Sequence, residues 1–355
     1  MKGSNWGRDV LSARQMMVLL AVVLLAPATD LLPTVAARQV GKGGWLIGFG
    51  ILPVLLFALW VCSRVFCREE ICKTVGRTAG YTIIILYMIW IVFVLAAAHR
   101  LSAARMEEIY GNVPSVWISI VLVAVAAWMG TGKVSALARA AEIFYLALTV
   151  MLAGILLLAL FKMERQNLYP VEWTRIFGGS FRSAGILLNV VPIAVLGLRV
   201  PKEGWSAQKI GGWSVAFCAA VTLVLIAVLG CVGSGLSARL EMPYFIMVQG
   251  LGIKGAFQRT EALAASVWLL SDLILCAALL RAGSDCVAQI TTERWGRWSV
   301  PILAAAALAV GWLLFPEEGV RTFCIKVLPV TGVVLGIIFP VILRAFSCVW
   351  TKKQR

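Results

Sequence analysis

Long apolar stretches follow one another along almost the whole chain. Ten of them have about the roughly 17 to 25 residues that a membrane-crossing helix needs, and they lie near 16–37, 45–62, 81–98, 114–130, 141–161, 184–199, 213–235, 262–281, 299–315 and 323–346. Because 61% of the residues are hydrophobic and 14% are charged, no remaining segment is long or polar enough for a soluble domain. The sequence predicts an all-α integral membrane protein, with about ten transmembrane helices in one domain spanning residues 1–355.

Proline interrupts two of these stretches at matching points, Pro27 in the first and Pro192 in the sixth. Proline lacks an amide donor and disfavours helical geometry in the residue before it. Since lipid cannot satisfy the freed backbone groups, such a break is tolerable where it lines a cavity or is buried in protein. Breaks in the first helix of each half of a chain point to a binding site near the bilayer midplane.

The residues around the two breaks suit a small ligand. Ala28 and Thr29 follow Pro27, and Asn189 and Val190 precede Pro192. Half-helix amino termini would offer N–H groups to an anion such as an amino-acid carboxylate, and half-helix carboxyl ends would offer carbonyls to a cation or an ammonium group. The alternative is a proline kink that binds nothing.

Two carboxylates lie inside predicted spans, Asp30 and Asp272, while Glu142 and Glu261 lie at span entrances. A charge at the bilayer centre costs roughly 2.5 to 3.5 kcal/mol on insertion scales, so such residues usually face a bundle interior or a cavity. Trp268, Asp272, Leu275 and Leu279 share one helical stripe, which predicts that Asp272 faces a cavity. Alternatively, Asp272 is protonated or paired with an arginine of a neighbouring helix, and backbone donors freed near Pro27 stabilise Asp30 without a ligand.

Catalytic and metal chemistry find little support. Cys62, Cys67 and Cys72 recur every five residues, but no CxxC pair or nearby histidine accompanies them. His99 is the single histidine, and it stands beside Arg100 at the predicted outer end of the third helix. We therefore expect no enzyme, no cofactor and no metal site.

The net charge of +15 does not indicate nucleic-acid binding, because the basic residues are spread over every loop. Contact with anionic lipid headgroups explains them better. Lysine and arginine are modestly enriched in the alternate segments that include both termini, which predicts cytoplasmic termini.

Several runs resemble the spore germination permease family, the B subunits of nutrient germinant receptors within the amino acid-polyamine-organocation superfamily. They are Ser12–Gln15, Ala37–Trp45, Gly132–Phe144 and Phe257–Leu263 followed by Trp268. Asn167 and Pro170 also fit the family's segment before the sixth helix, and Pro33 fits its first-helix pattern, whereas Asp30 departs from it. The likeness extends from near residue 12 to about 280.

The resemblance implies ten helices in a five-plus-five inverted repeat with broken helices one and six, the LeuT-like fold. The repeats would span 1–161 and 184–346. A pocket like that of amino-acid transporters on this fold would lie between helices one, three, six and eight, which adds Tyr87 to the candidates. Relatives with a coupling ion hold it between the first and eighth helices, where Asp30 and Asp272 could meet.

By the same resemblance, we expect the membrane-embedded subunit of a spore germinant receptor in the spore inner membrane. It would bind a small nutrient, with an amino acid expected, and would act with the receptor's A subunit and C lipoprotein. The competing hypotheses are a proton- or cation-coupled amino-acid symporter and a scaffold without a ligand. The expected ligand-binding residues are Pro27, Ala28, Thr29, Asp30, Tyr87, Asn189, Val190, Pro192 and Asp272.

Overall fold

The computed structural model describes residues 10–65, 76–111, 113–200, 206–251 and 261–345, and within them it contains helices and no strand. The long helices are α1 (Ala13–Val40), α2 (Ile47–Val65), α3 (Arg77–Tyr110), α4 (Ser115–Thr131), α5 (Val134–Leu160), α6 (Ile176–Leu187), α7 (Ala207–Val232), α8 (Glu261–Ile290), α9 (Glu293–Leu314) and α10 (Glu317–Lys326). A 3-10 helix, Leu188–Arg199, continues α6. The short helix Leu328–Val333 and a π-helical turn, Val334–Ile338, follow α10.

The predicted all-α membrane class is confirmed. Among the described residues, eight segments are long and apolar enough to cross a membrane, and the first of them, Ala13–Val65, contains both α1 and α2. The shorter apolar helix α4 adds to these. The number of crossings and the division into repeats at 1–161 and 184–346 stay predictions.

Helix α3 extends well past its predicted end at residue 98, because three buried basic residues interrupt the hydropathy pattern but not the helix. His99, Arg100 and Arg105 are all at most 2% exposed. His99 therefore lies inside the helix bundle rather than at a helix end, and its ring nitrogens contact Ser119 Oγ at 3.3 Å and the Ala307 carbonyl at 3.1 Å. Polar side chains with partners inside the bundle let a helix continue where a hydropathy count stops.

Helix α1 lies at the centre of the bundle and packs against α5, α6, α7 and α8. Its sequence is apolar on all sides, which is typical of a helix surrounded by others. The Ser12 hydroxyl accepts from the Gln15 amide at 3.1 Å, and the Gln15 side chain accepts from the Ser12 amide at 3.0 Å. This capping box satisfies two orphan donors and determines where α1 begins.

The backbones of α6 and of the helix after α10 approach each other closely at two glycines. A Cβ atom on Gly185 would lie 2.1 Å from the Pro329 carbonyl oxygen, and one on Gly332 would lie 1.8 Å from the Gly185 carbonyl oxygen. Small residues permit this kind of contact between membrane helices. The crossing holds the segment around Asn189 against the carboxyl-terminal helices.

Some sequence-based expectations fall outside the described residues. Cys67, Cys72 and Cys348 do so, as do residues 257–260 of the family-like run before Trp268. The other six cysteines are free thiols.

Candidate functional site

The predicted break at Pro27 takes a milder form than two separate half-helices, because α1 is α-helical from Ala13 to Val40. One of its turns is instead bridged by a side chain from α8. The Ser271 hydroxyl accepts from the Ala26 amide at 3.0 Å and donates to the Val22 carbonyl at 2.6 Å. The inserted hydroxyl thus replaces the direct hydrogen bond between the Ala26 amide and the Val22 carbonyl in the turn beside Pro27.

The chain around Pro192 does depart from α geometry. Helix α6 ends at Leu187 and a 3-10 helix follows, because Pro192 cannot donate to the carbonyl of Leu188 four residues earlier. Asn189 stabilises this transition, since its Nδ2 donates to the carbonyls of Gly185 and Leu328, each at 2.9 Å. Its amide therefore joins α6 to the helix that follows α10.

A buried arginine links the two intramembrane aspartates. Arg105 Nη1 donates to Asp30 Oδ2 at 3.2 Å, and Arg105 Nη2 donates to Asp272 Oδ2. The side chains of all three residues are at most 4% exposed. The guanidinium carbon also lies 5.1 Å from the ring centroid of Trp268. One cation on α3 thus balances acids on α1 and α8.

A second arginine extends the network towards the surface. Arg321 Nη2 donates to Asp30 Oδ1 at 2.8 Å, and Arg321 Nη1 donates to the backbone carbonyl of Glu241. The Arg321 Nε atom is 3.7 Å from the Glu241 carboxylate, whose side chain is 66% exposed. The charges alternate in sign from Asp272 through Arg105, Asp30 and Arg321 to Glu241. This alternation compensates buried ions that would be costly alone.

A small cavity of about 50 Å³ adjoins the network at the centre of the bundle. Arg105 and Asp272 form its charged wall, Asn189 adds an amide, and the remaining lining is mostly aliphatic. The lining residues are Pro27, Leu31, Val94, Ala97, Ala98, Leu101, Arg105, Ile186, Asn189, Val190, Asp272, Leu275, Cys324 and Leu328. Helices α1, α3, α6 and α8 all contribute, together with α10 and the segment after it.

The nine predicted site residues fall into four groups. Four line the central cavity: Pro27, Asn189, Val190 and Asp272. Asp30 does not line the cavity but pairs with Arg105, which does. Ala28 and Thr29 line a separate groove between α1, α5 and α7.

Tyr87 and Pro192 are buried but are not among the cavity-lining residues. The Tyr87 hydroxyl donates to the Leu335 carbonyl at 2.8 Å, and its ring lies 5.9 Å from that of Phe339. Tyr87 therefore ties α3 to the carboxyl-terminal helices.

Sequence reasoning missed Arg105, Arg321 and Ser271. A signal for Arg105 was present, since it continues the stripe of Ala97 and Leu101 at a spacing of four residues. Two buried acids also required compensating cations. No comparable local pattern marks Arg321 or Ser271, whose partners are remote in sequence.

The fold defines the class of the protein, a multi-pass membrane protein with the LeuT-like fold. A structure of a Na⁺-coupled sialic acid symporter matches with a TM-score of 0.64 at 9% identity, covering 94% of this chain and 79% of the symporter. MhsT in complex with L-phenylalanine matches with 0.68 at 12% identity, covering 94% and 90%. Mhp1, a nucleobase-cation-symport-1 family transporter, matches with 0.58 at 14% identity, covering 89% and 75%.

Within this class, the chain belongs to the spore germination protein family, whose match extends over residues 10–316. A comparison with curated proteins found no match. The family match shows which family the chain belongs to, and the solved structures, all at 14% identity or less, show the LeuT-like fold.

Proposed function

We propose that the chain is the membrane-embedded nutrient-binding subunit of a spore germinant receptor and that its ligand is an amino acid. The observation that carries this proposal is the central cavity, with Arg105 and Asp272 at one wall and aliphatic side chains around most of the rest. An amino acid has the matching pattern, because its charged carboxylate and ammonium groups lie together at one end. A few polar groups in an otherwise apolar pocket are typical of small-molecule sites.

The same proposal includes a location and partners. The subunit would reside in the spore inner membrane with both termini in the cytoplasm. It would pass the binding signal to the receptor's A subunit and C lipoprotein.

Ligand binding would require the cavity to enlarge. Its volume of about 50 Å³ is far below the roughly 300 to 1,000 Å³ of typical ligand pockets. A ligand ammonium group that competed with Arg105 for Asp272 would loosen the bridge to Asp30. Because that bridge joins α1, α3 and α8, its loosening would change how these helices pack and would convert binding into movement.

The alternative is a proton- or cation-coupled amino-acid symporter. It draws support from the fold, since one neighbour is described as a Na⁺-coupled symporter. In such a protein, Asp30 and Asp272 would together hold the coupling ion. The guanidinium of Arg105 already bridges both acids, so a coupling cation would have to displace it. A ligand ammonium group would meet the same competition at Asp272, so uptake measurements distinguish the two hypotheses.

A germination screen tests the proposal. Spores that lack the gene would be complemented with the native chain, with Asp272→Asn or with Asp285→Asn, and exposed to a panel of amino acids. Asp285 is a matched control, because it lies on the same helix and pairs with Arg281 at 3.4 Å, outside the central cavity. We expect Asp272→Asn to abolish the response at equal protein level and Asp285→Asn to retain it. A native response in Asp272→Asn spores would refute the cavity as the ligand site.

Uptake measurements separate receptor from symporter. Purified protein in liposomes would be given a radiolabelled amino acid that triggers germination, with and without a sodium or proton gradient. The receptor hypothesis predicts saturable binding without accumulation. Gradient-driven accumulation would favour the symporter.

A further inference from the structure

A groove lies between helices α1, α5 and α7, separate from the central cavity. It consists of a wide part of about 920 Å³ near the first turns of α1 and α7 and a narrow part of about 160 Å³ further along α1. The two parts share Ala21, Tyr145 and Trp213 in their lining, so they form one continuous depression. We refer to it as the α1–α5–α7 groove.

The wide part of the groove carries positive charge. Arg14 and Lys209 are its charged lining residues, and both are exposed. Neither side chain has an ion-pair partner within the described part of the chain. Glu142 accepts a hydrogen bond from Gln15 Nε2, at the edge of the groove, at 3.5 Å. The two cations are therefore free to bind an anion.

The narrow part is mostly apolar and lies along the middle of α1. Leu25, Leu148 and Val221 line it, and Phe217 stacks on Trp213 with ring centroids 5.3 Å apart and planes inclined by 7°. A flat aromatic wall beside aliphatic side chains suits an extended hydrocarbon chain. A hydrocarbon chain that lies against this wall without a gap makes more favourable dispersion contacts.

We propose that the α1–α5–α7 groove binds an anionic phospholipid of the membrane leaflet at the amino-terminal ends of α1 and α7. The headgroup phosphate lies between Arg14 and Lys209, and one acyl chain follows the narrow part along α1. This charge complementarity distinguishes the occupant from a neutral or zwitterionic lipid, because basic side chains near a membrane surface attract anionic headgroups.

The bound chain would reach the turn that carries the ion network. Thr29 lines the narrow end of the groove, and its hydroxyl accepts a hydrogen bond from Trp268 Nε1 at 2.9 Å. Trp268 in turn packs 5.1 Å from the Arg105 guanidinium. Lipid occupancy is thus placed to influence how α1 packs on α8, whatever nutrient the protein recognises.

Native mass spectrometry of the purified full chain tests the charge argument. Phosphatidylglycerol and phosphatidylethanolamine with identical acyl chains would be titrated onto the native protein, onto the double variant Arg14→Gln/Lys209→Gln and onto the control Arg165→Gln/Arg182→Gln. The control arginines are exposed and lie away from the groove. We expect phosphatidylglycerol affinity to fall about fivefold for each groove charge removed, with the control unchanged. Equal binding of the two lipids, or an equal loss in the control, would overturn the proposal.

A second variant tests the acyl-chain position without altering charge. Ala216 is exposed in the narrow part, so Ala216→Trp would fill the groove without disturbing the bundle core. Phosphatidylglycerol with a photoreactive acyl chain should label peptides of α1, α5 and α7 in the native protein and lose that labelling in Ala216→Trp. Uniform labelling of all helices around the bundle would contradict a lipid in this groove. Lipid binding seen only after removal of residues 1–9 would contradict it as well.

Discussion

Arg105 Nη1 donates a hydrogen bond to Asp30 Oδ2 at 3.2 Å, although the two residues are 75 positions apart in the sequence. This contact joins α1 to α3 inside the bundle, and the same guanidinium also holds Asp272 on α8. A buried carboxylate without a cation would be strongly destabilising, so Asp272 depends on Arg105, whereas Asp30 also has Arg321. The packing of three helices is therefore tied to one charged side chain.

Arg105→Gln should destabilise the protein by about 3 to 5 kcal/mol, because it leaves two buried carboxylates without their shared cation. Arg139→Gln is a suitable control, since Arg139 is exposed and its Nε donates to the Ser135 carbonyl of its own helix at 3.2 Å. Unfolding of both variants in detergent would measure the difference. Equal stability of the two variants would show that the bridge contributes nothing.

Asp30→Asn and Asp272→Asn should not have additive effects. Both carboxylates bind the same guanidinium, and residues that share a partner couple by roughly 0.5 to 3 kcal/mol. The free energy of unfolding and the nutrient response of both single variants and the double variant would form a complete cycle. A sum equal to the double-variant effect would mean that the acids act independently.

Gly185→Ala should destabilise the bundle by about 1 to 3 kcal/mol or more, because the added methyl group would overlap the Pro329 carbonyl. Gly154→Ala is the matched control. Its Cβ would meet nothing within 4 Å, and alanine is favoured over glycine within a helix by about 0.8 to 1 kcal/mol. Thermal unfolding should therefore shift in opposite directions for the two variants.

Ser271→Ala should change stability by about 1 kcal/mol or less, because the Ala26 amide and the Val22 carbonyl that it bridges can then pair with each other. The nutrient response should weaken, since α1 would lose its link to α8 at the turn beside the cavity. Ser266→Ala removes an exposed hydroxyl bonded to Ala262 on the same helix and should respond normally. A normal response in both variants would show that the Ser271 bridge is not needed for the nutrient response.

Tyr87→Phe should lower stability by about 0.5 to 1.5 kcal/mol, the usual net value of one hydrogen bond, here the bond to the Leu335 carbonyl. The preference among amino acids should stay the same, because Tyr87 is not part of the cavity lining. Dose–response curves for several amino acids would test this. A changed order of potency among the amino acids would indicate that Tyr87 contributes to the ligand site.

The sequence by itself determined the membrane-embedded, all-helical class and the central part of each long helix, although α3 and α8 extend 12 and 9 residues past their predicted ends at 98 and 281. Hydropathy is a local property, so stretches such as that around α7 are visible without any knowledge of their neighbours. The positions of Pro27, Pro192, Asp30 and Asp272 within apolar stretches were equally visible, and they pointed to the region where the cavity and the ion network lie.

Only the tertiary structure decided the partners of these residues. Ser271 bridges Val22 and Ala26 from about 250 positions away, and Arg321 reaches Asp30 across 291 positions. Such contacts depend on how the helices pack, which a residue's sequence neighbours do not specify. Arg105 illustrates the difference. In the sequence it ends an apolar pattern, whereas in the bundle it is the cation that two buried acids require.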